Sequence, residues 1–416
     1  MAQKLKFGNG TFATKEGSTL AYNDENNNYK PLPFTTTRDS IATRVNKEGL
    51  IEVVGNDIPR IDYKDDSKGA LLLEPSRSNN LLQSNQFDTT WLKSSGVTIT
   101  SEQTISPEGI NNGWKFEKTA ASYKSIGQNY TSSSETTFSI FAKKGTLSVI
   151  TLLANINSGT NLYQRFDLEN GIVSTGSGMS SSNIEEYGNG WYRCSSTFTN
   201  TNVQRLDCYL DFAENEAGFI YIYGAQAEVG SYATSYIPTN GSSMQRAADT
   251  ASGAGNSEVF SDSQGVLFAN IAGLTNDDDV RIISISDGTN DNRIYIGLDD
   301  EPNKLYFYMT IGGTFVMGFV DIVLNQTEYN KIALTYKSGQ SSIYLNGFLV
   351  NLDDTTFSNG NLNRLDFKNR GTGNPFYGKT KELGYYDEIL TDLELEYLTS
   401  YRSLNELVTE LNLNEL

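Results

Sequence analysis

From residue 97 to residue 385 the chain is written almost entirely in a period of two. Segments such as "TTFSIFAKKG", "SVITLLANI", "GWYRCSSTFT" and "FIYIYGAQAEV" alternate apolar with polar residues and favour β-branched and aromatic types. So do "GVLFANIAGL", "RIISISDG", "KLYFYMTIGG" and "SSIYLNGFLV" further along. Clusters of Gly, Asn, Asp and Ser separate these runs at intervals of about ten residues, the rhythm of sandwich strands. No helical period intervenes. The pattern predicts an all-β protein of two antiparallel β-sandwiches: a jelly roll built from strands between 97 and 230, then a second sandwich from strands between 265 and 385. At 416 residues the chain exceeds what one core usually organises, in keeping with that division. The weakly patterned "RAADTASGAGNSE" between the two blocks reads as their connection.

The ends differ from the middle. Residues 1–37 are polar and Asn-rich ("YNDENNNYKPLPFTTT"), which predicts an extended N-terminal arm that docks on a larger partner. Residues 38–75 are irregular, with apolar punctuation at Val45, Leu50, Ile51, Val53 and Val54. After Leu390 the pattern turns helical. Thr391 and Glu394 have the spacing of a capping box, and Leu393, Tyr397, Leu404, Leu407 and Leu411 form one stripe. That C-terminal helix is expected to pack on its own domain. The divisions are therefore 1–37, 38–250, 251–390 and 391–416.

Composition removes whole classes of chemistry. There is no histidine, so Ser-His and Cys-His nucleophiles and His-containing zinc sites are excluded. Cys194 and Cys208 are too few for a Cys-only zinc cage; each lies in a predicted strand and reads as a buried free thiol. A net charge of −18, with Lys and Arg scattered singly, argues against nucleic acid as a partner. No apolar run approaches the roughly 20 residues of a membrane span, and no apolar signal segment follows the first residues. No cofactor is expected. Paired carboxylates remain the one hydrolytic chemistry open to so acidic a chain.

Several residues invite a ligand reading. Trp191 and Tyr192 in "NGWYRC" have the chemistry to stack on a sugar ring, but a Gly-Trp pair entering a strand reads first as core, as do Trp91 and Trp114. Asp277, Asp278 and Asp279 in "TNDDDV" are candidate oxygen ligands for a hard cation, although they lack the alternating spacing and glycine of an EF-hand loop. The Asp299-Asp300 and Asp353-Asp354 pairs read as turns. No strand carries a Glu-x-Asp-x-x-Glu pattern, so a binder is expected and not an enzyme.

Three segments together carry a resemblance. "RDSIATRVNKEGLIEVVGNDIPRIDY" (38–63), "GALLLEPSRSNNLLQSNQFDTTW" (69–91) and "GAQAEVGSYATSYIPTNGSSMQRAAD" (224–249) resemble, in kind and in order, a set found in tailed-phage fiber proteins with a carbohydrate-binding-module-like jelly roll, the head-spike, head-fiber or tail-fiber type. The second block, with "KIALTYKSGQSSIYLNGFLV", resembles the concanavalin A-like, laminin G-type domain that follows in such proteins. The resemblance spans about 38–400. It implies a structural protein on the exterior of the virion, assembled in the host cytoplasm. It further implies homotrimeric assembly and contact with host or environmental glycans; the N-terminal arm lies outside the resemblance and is expected to anchor the chain to other virion proteins because it is polar, extended and precedes every domain. A tail-fiber receptor-binding protein and a glycan depolymerase are the alternatives. Within this frame "LLLEPSRSNNLL" and "SYATSYIPT" are expected to lie as straps across the flanks of the jelly roll, with Tyr232 and Tyr236 packing inward and Gly230 and Pro238 setting the turns.

Overall fold

The computed structural model describes residues 3–8, 12–15, 18–23, 28–132, 134–157, 159–200, 202–210, 216–277, 279–318, 324–370 and 373–401. They form two compact units. One comprises Asp39–Gly55 and Ser76–Ala247; the other comprises Met1–Arg38, Asn56–Pro75 and Ala248–Leu416. Both are antiparallel β-sandwiches, as the alternation predicts.

The Asp39–Gly55 and Ser76–Ala247 unit is the jelly roll, two six-stranded sheets. The first sheet runs Val97–Thr104, Gly113–Lys118, Gly218–Val229, Glu135–Lys143, Trp191–Thr199, Ser181–Glu186. The second runs Leu92–Lys93, Lys124–Asn129, Val203–Leu210, Val149–Ile156, Leu162–Asp167, Ile172–Ser177. Alternate residues of facing strands fill the space between them: Phe116, Phe138, Ile140, Phe198 and Ile222 from one sheet, Ile126, Ile150, Leu152, Phe166 and Leu206 from the other. Cys194 and Cys208 lie in this core as free thiols, and burial pushes both well above the ordinary thiol range.

The second unit pairs an eight-stranded with a seven-stranded sheet. Gly378–Tyr386 is central to the larger one. Gln264–Gly273 pairs along one edge, while Gln3–Gly8 and Ala70–Leu73 share the other. This corrects the expected arm. Leu5 and Phe7 alternate inward from Gln3–Gly8 and are buried, and Phe34 meets Phe7 and Phe367 edge-on at 5.1 and 5.0 Å. Thr35–Thr37 adds an edge strand to the smaller sheet. Burial of Leu5, Phe7 and Phe34 outweighs the polar composition around them.

Two further expectations are corrected. The segment expected as a single strap divides at Pro75: Ala70–Leu73 is a strand of the second sandwich, and Arg77–Asn79 pairs with Met244–Arg246 in the jelly roll. The supposed connection at 246–258 likewise contains the strand Thr250–Ala254. At the C-terminus the capping box forms as predicted, Thr391 and Glu394 each hydrogen-bonding the other's backbone N–H. The described helix, Asp392–Thr399, buries Leu395 and Thr399 instead of the predicted stripe. Leu393 is 75 % and Tyr397 63 % exposed. Leu404, Leu407 and Leu411 lie outside the described residues.

Each segment that carried the resemblance supplies a member of one buried ion cluster in this second unit. Arg60, wholly buried, donates to Glu74 Oε2 at 2.6 Å and to Asp249 Oδ2. Arg38 Nη1 donates to Asp249 Oδ1 at 2.9 Å, and the Glu74 N–H donates to Asp249 Oδ2 at 2.9 Å. Four residues far apart in sequence are thus joined, each charge compensated by its neighbours.

Candidate functional site

The two sheets of the jelly roll have very different outer faces. On the first, side chains that alternate away from the core include Phe141, Trp191, Tyr223, Gln226 and Glu228. A second, smaller core covers them, made with Ile51 and Tyr236. Tyr236 lies 5.6 Å from the Tyr223 ring and 6.0 Å from Phe141, and its hydroxyl is 2.7 Å from Ser84 Oγ. Polar side chains of the sheet hold the strap by its backbone. Gln226 Oε1 accepts from the Ile237 N–H at 2.6 Å. Glu228 accepts from the Thr234 N–H at 3.0 Å and its hydroxyl at 2.6 Å, and Arg193 Nη1 donates to the Thr234 carbonyl at 2.6 Å. An aperiodic segment can therefore be buried because buried side chains meet its peptide groups.

Trp191 belongs to this covered face. It is 1 % exposed and donates from Nε1 to the Ile105 carbonyl at 2.9 Å, so its ring is core and not a platform. Tyr192 is half-buried against the main core. Tyr232 is half-buried with the Arg77 guanidinium 5.6 Å from its ring centre. Trp91 and Trp114 are buried, their Nε1 groups satisfied by the carbonyls of Gln83 and Asn85. In the other unit, Asp277 is ion-paired with Arg281 and caps the Asp279 N–H at 3.3 Å. Asp278 lies outside the described residues. Among the described residues no group of three potential metal ligands forms.

The second sheet's outer face is the contrast. Strand register places Ser125, Tyr209, Thr151 and Arg165 in one row across four strands. Gly127, Asp207, Leu153 and Tyr163 form the next row, and Asn129, Arg205 and Asn155 a third. At the centre, Thr151, Leu153 and Asp207 are buried although they point away from the core; Tyr163, Arg165, Arg205 and Tyr209 around them are half-buried. Thr151 Oγ1 has no hydrogen-bond partner among the described residues. Asp207 accepts from Arg205 Nε at 2.9 and 3.0 Å. Burial nonetheless holds its carboxyl above the usual range, against the opposing pull of Arg205. Gly127 makes the arrangement possible, since a β-carbon there would collide with the Asp207 carboxylate.

Chemically this face offers two tyrosine rings, two guanidinium groups, a buried carboxylate and a buried hydroxyl within three adjacent rows. Such a mixture suits a ligand with apolar faces and many hydroxyls. The alternation in "LYQRFD" and "QRLDCYL" signalled these outward residues, but nothing in either segment tells which sheet a strap covers.

No protein-family model matches the chain, and no curated protein sequence matches it. Solved structures similar to it include the CBM40 module of the Ruminococcus gnavus IT-sialidase bound to α2,3-sialyllactose (18 % identity, 36 % of this chain and 94 % of that one, TM-score 0.29). Domain 4 of AbnA, a GH43 arabinanase from Geobacillus stearothermophilus, in complex with arabinotriose, is similar at 15 % identity over 41 % of this chain and 84 % of that one (TM-score 0.29). A heptameric SAP-like pentraxin from Limulus polyphemus is similar at 13 % over 35 % and 73 % (TM-score 0.27). These likenesses are too distant to assign a ligand or a site.

Proposed function

We propose that this chain is a non-catalytic glycan-binding subunit of a tailed-phage fiber or spike, carried on the outside of the particle, and that the outer face centred on Thr151 and Leu153 is its sugar-binding surface. The contrast between the two jelly-roll faces carries the site: one sheet is sealed by a strap, the other presents half-buried tyrosines and arginines around an unsatisfied hydroxyl. The virion role is supported by the three-segment resemblance alone. Asp207 is committed to Arg205, which suits a hydrogen-bond acceptor better than an acid or nucleophile. Repeated copies on one particle raise the avidity of such a site by an effective-concentration effect of roughly a hundredfold or more.

The purified chain, run by affinity electrophoresis through neutral capsular and cell-wall polysaccharides, is expected to be retarded by at least one without shortening it. Sustained release of reducing ends would replace this reading with a depolymerase. Immunogold labelling of particles tests the virion role and separates head from tail. Homotrimeric assembly is part of the same proposal. It is supported by the exposed Leu393 and Tyr397 on the helix and Phe348, 74 % exposed, on a sheet-edge strand. Light scattering is expected to give three times the chain mass, and Leu393→Ser with Phe348→Ser to lower it.

A further inference from the structure

A separate surface in the second sandwich also has the makings of a binding site. In the smaller sheet, Ile294, Ile296, Phe307 and Met309 point into the core, so their neighbours on Arg293–Leu298 and Leu305–Ile311 face outward. Those neighbours are Arg293 and Tyr295 on one strand and Tyr306, Tyr308 and Thr310 on the next. Phe315 follows on Thr314–Gly318.

The rings form a continuous layer. Tyr295 and Tyr308 stack 5.3 Å apart at 10°, Tyr306 lies 5.2 Å from Tyr295, and Phe315 lies 5.5 Å from Tyr308. Tyr295 is buried beneath its neighbours, whereas Phe315 is 52 % exposed. Gly318 sits opposite Tyr308 in the ladder; a β-carbon there would press on the rings of Tyr308 and Phe315. Arg293 lies across the layer, its guanidinium carbon 4.2 Å from the Tyr308 ring centre and 5.7 Å from that of Tyr295.

Arg293 is the cation of this layer. Among the described residues no carboxylate pairs with it, and its Nε is buried without a hydrogen-bond partner, in a protein of net charge −18. Register sets Arg293, Thr310 and Phe315 in one row, so the cation and the exposed ring stand two strand spacings apart, about 10 Å. An aromatic face complements the C–H face of a pyranose, and a guanidinium complements a carboxylate in two-pronged fashion.

We propose that this row is a second binding site, specific for an acidic sugar, whose ring stacks on the exposed Phe315 while its carboxylate pairs with Arg293. The stacked guanidinium is already ordered by the tyrosine layer, so binding costs little side-chain entropy. Specificity follows from the unpaired charge: a neutral sugar leaves Arg293 without its partner. The site lies in a different unit from the jelly-roll face and stands or falls independently of it.

The test is calorimetric titration of the full-length chain with methyl glycosides of glucuronic, galacturonic and sialic acids, each beside a carboxyl-reduced counterpart. At least one acid is expected to bind at least tenfold more tightly than its reduced form, weakening with added salt. Arg293→Gln and Phe315→Ser are each expected to lower that affinity tenfold or more. Tyr209→Ala, on the jelly-roll face, is expected to leave it unchanged. Near-UV circular dichroism checks that the variants remain folded; Phe315, half exposed, is the safer of the two. Binding by none of the acids, equal binding of the reduced forms, or acid binding that survives both substitutions overturns the proposal. Acid binding lost in Tyr209→Ala but retained in Phe315→Ser assigns the acid to the jelly roll and overturns it as well.

Discussion

The two sheets of the jelly roll begin from the same alternation and end with opposite surfaces. The first keeps Phe141, Trp191 and Tyr223 on its outer side because Tyr236 and Ile51 come down upon them. The second keeps Tyr163, Arg165 and Tyr209 there, half-buried around Thr151. Aromatic residues outside a core therefore have no single meaning. What covers them decides whether they stabilise the fold or remain available to a ligand.

The comparison can be broken most severely at the clasp that links the motif segments. Arg60→Met leaves Glu74 and Asp249 buried without their shared cation and is expected to cost about 3–5 kcal/mol in denaturant unfolding. On the strapped face, Tyr236→Ala removes a buried ring and its hydroxyl contact with Ser84, at about 4 kcal/mol by the same measurement. Glu228→Ala, which leaves the buried Thr234 N–H without its acceptor, is expected to cost about 2 kcal/mol. On the open face, Tyr209→Ala, at a half-buried strand position, is expected to cost about 1 kcal/mol, while lowering polysaccharide retention tenfold or more. A Tyr209 effect as large as that of Tyr236 would mean that the second face is structural too.

A subtler difference concerns pH. Because burial raises the Asp207 carboxyl, the folded protein holds that proton more tightly than the unfolded chain does. This group's contribution to stability is then fully present below the ordinary carboxylate range and declines as pH rises through the interval up to the raised value. Asp207→Asn is expected to remove that decline, seen as a flatter slope of melting temperature against pH over that interval.

Much of the architecture was legible because it rests on periodicity. Strands such as Glu135–Lys143 and Gln264–Gly273 are short apolar, β-favouring runs bounded by turn residues, the Thr391 and Glu394 cap depends only on local spacing, and Tyr236 packs inward as its place in a strap implies. What escaped depends on partners distant in sequence. Leu5 and Phe7 are too short a pattern to reveal that they complete the edge of Gly378–Tyr386. Ala70–Leu73 looks continuous with the residues after Pro75 and yet pairs in the other unit. The outward rows at Thr151 and Tyr308 cannot be singled out from the sequence, because alternation separates inside from outside but is silent on which outside is covered.

Retention on a neutral polysaccharide that the wild-type chain binds, compared between Tyr209→Ala with Arg165→Ala on the open face and Tyr187→Ala beside the strapped cluster, bears most directly on the central claim. The account predicts loss of retention in the open-face variant, with an unchanged near-UV spectrum, and wild-type retention in the other. Full retention in the open-face variant, or loss confined to a folded Tyr187→Ala, would contradict it.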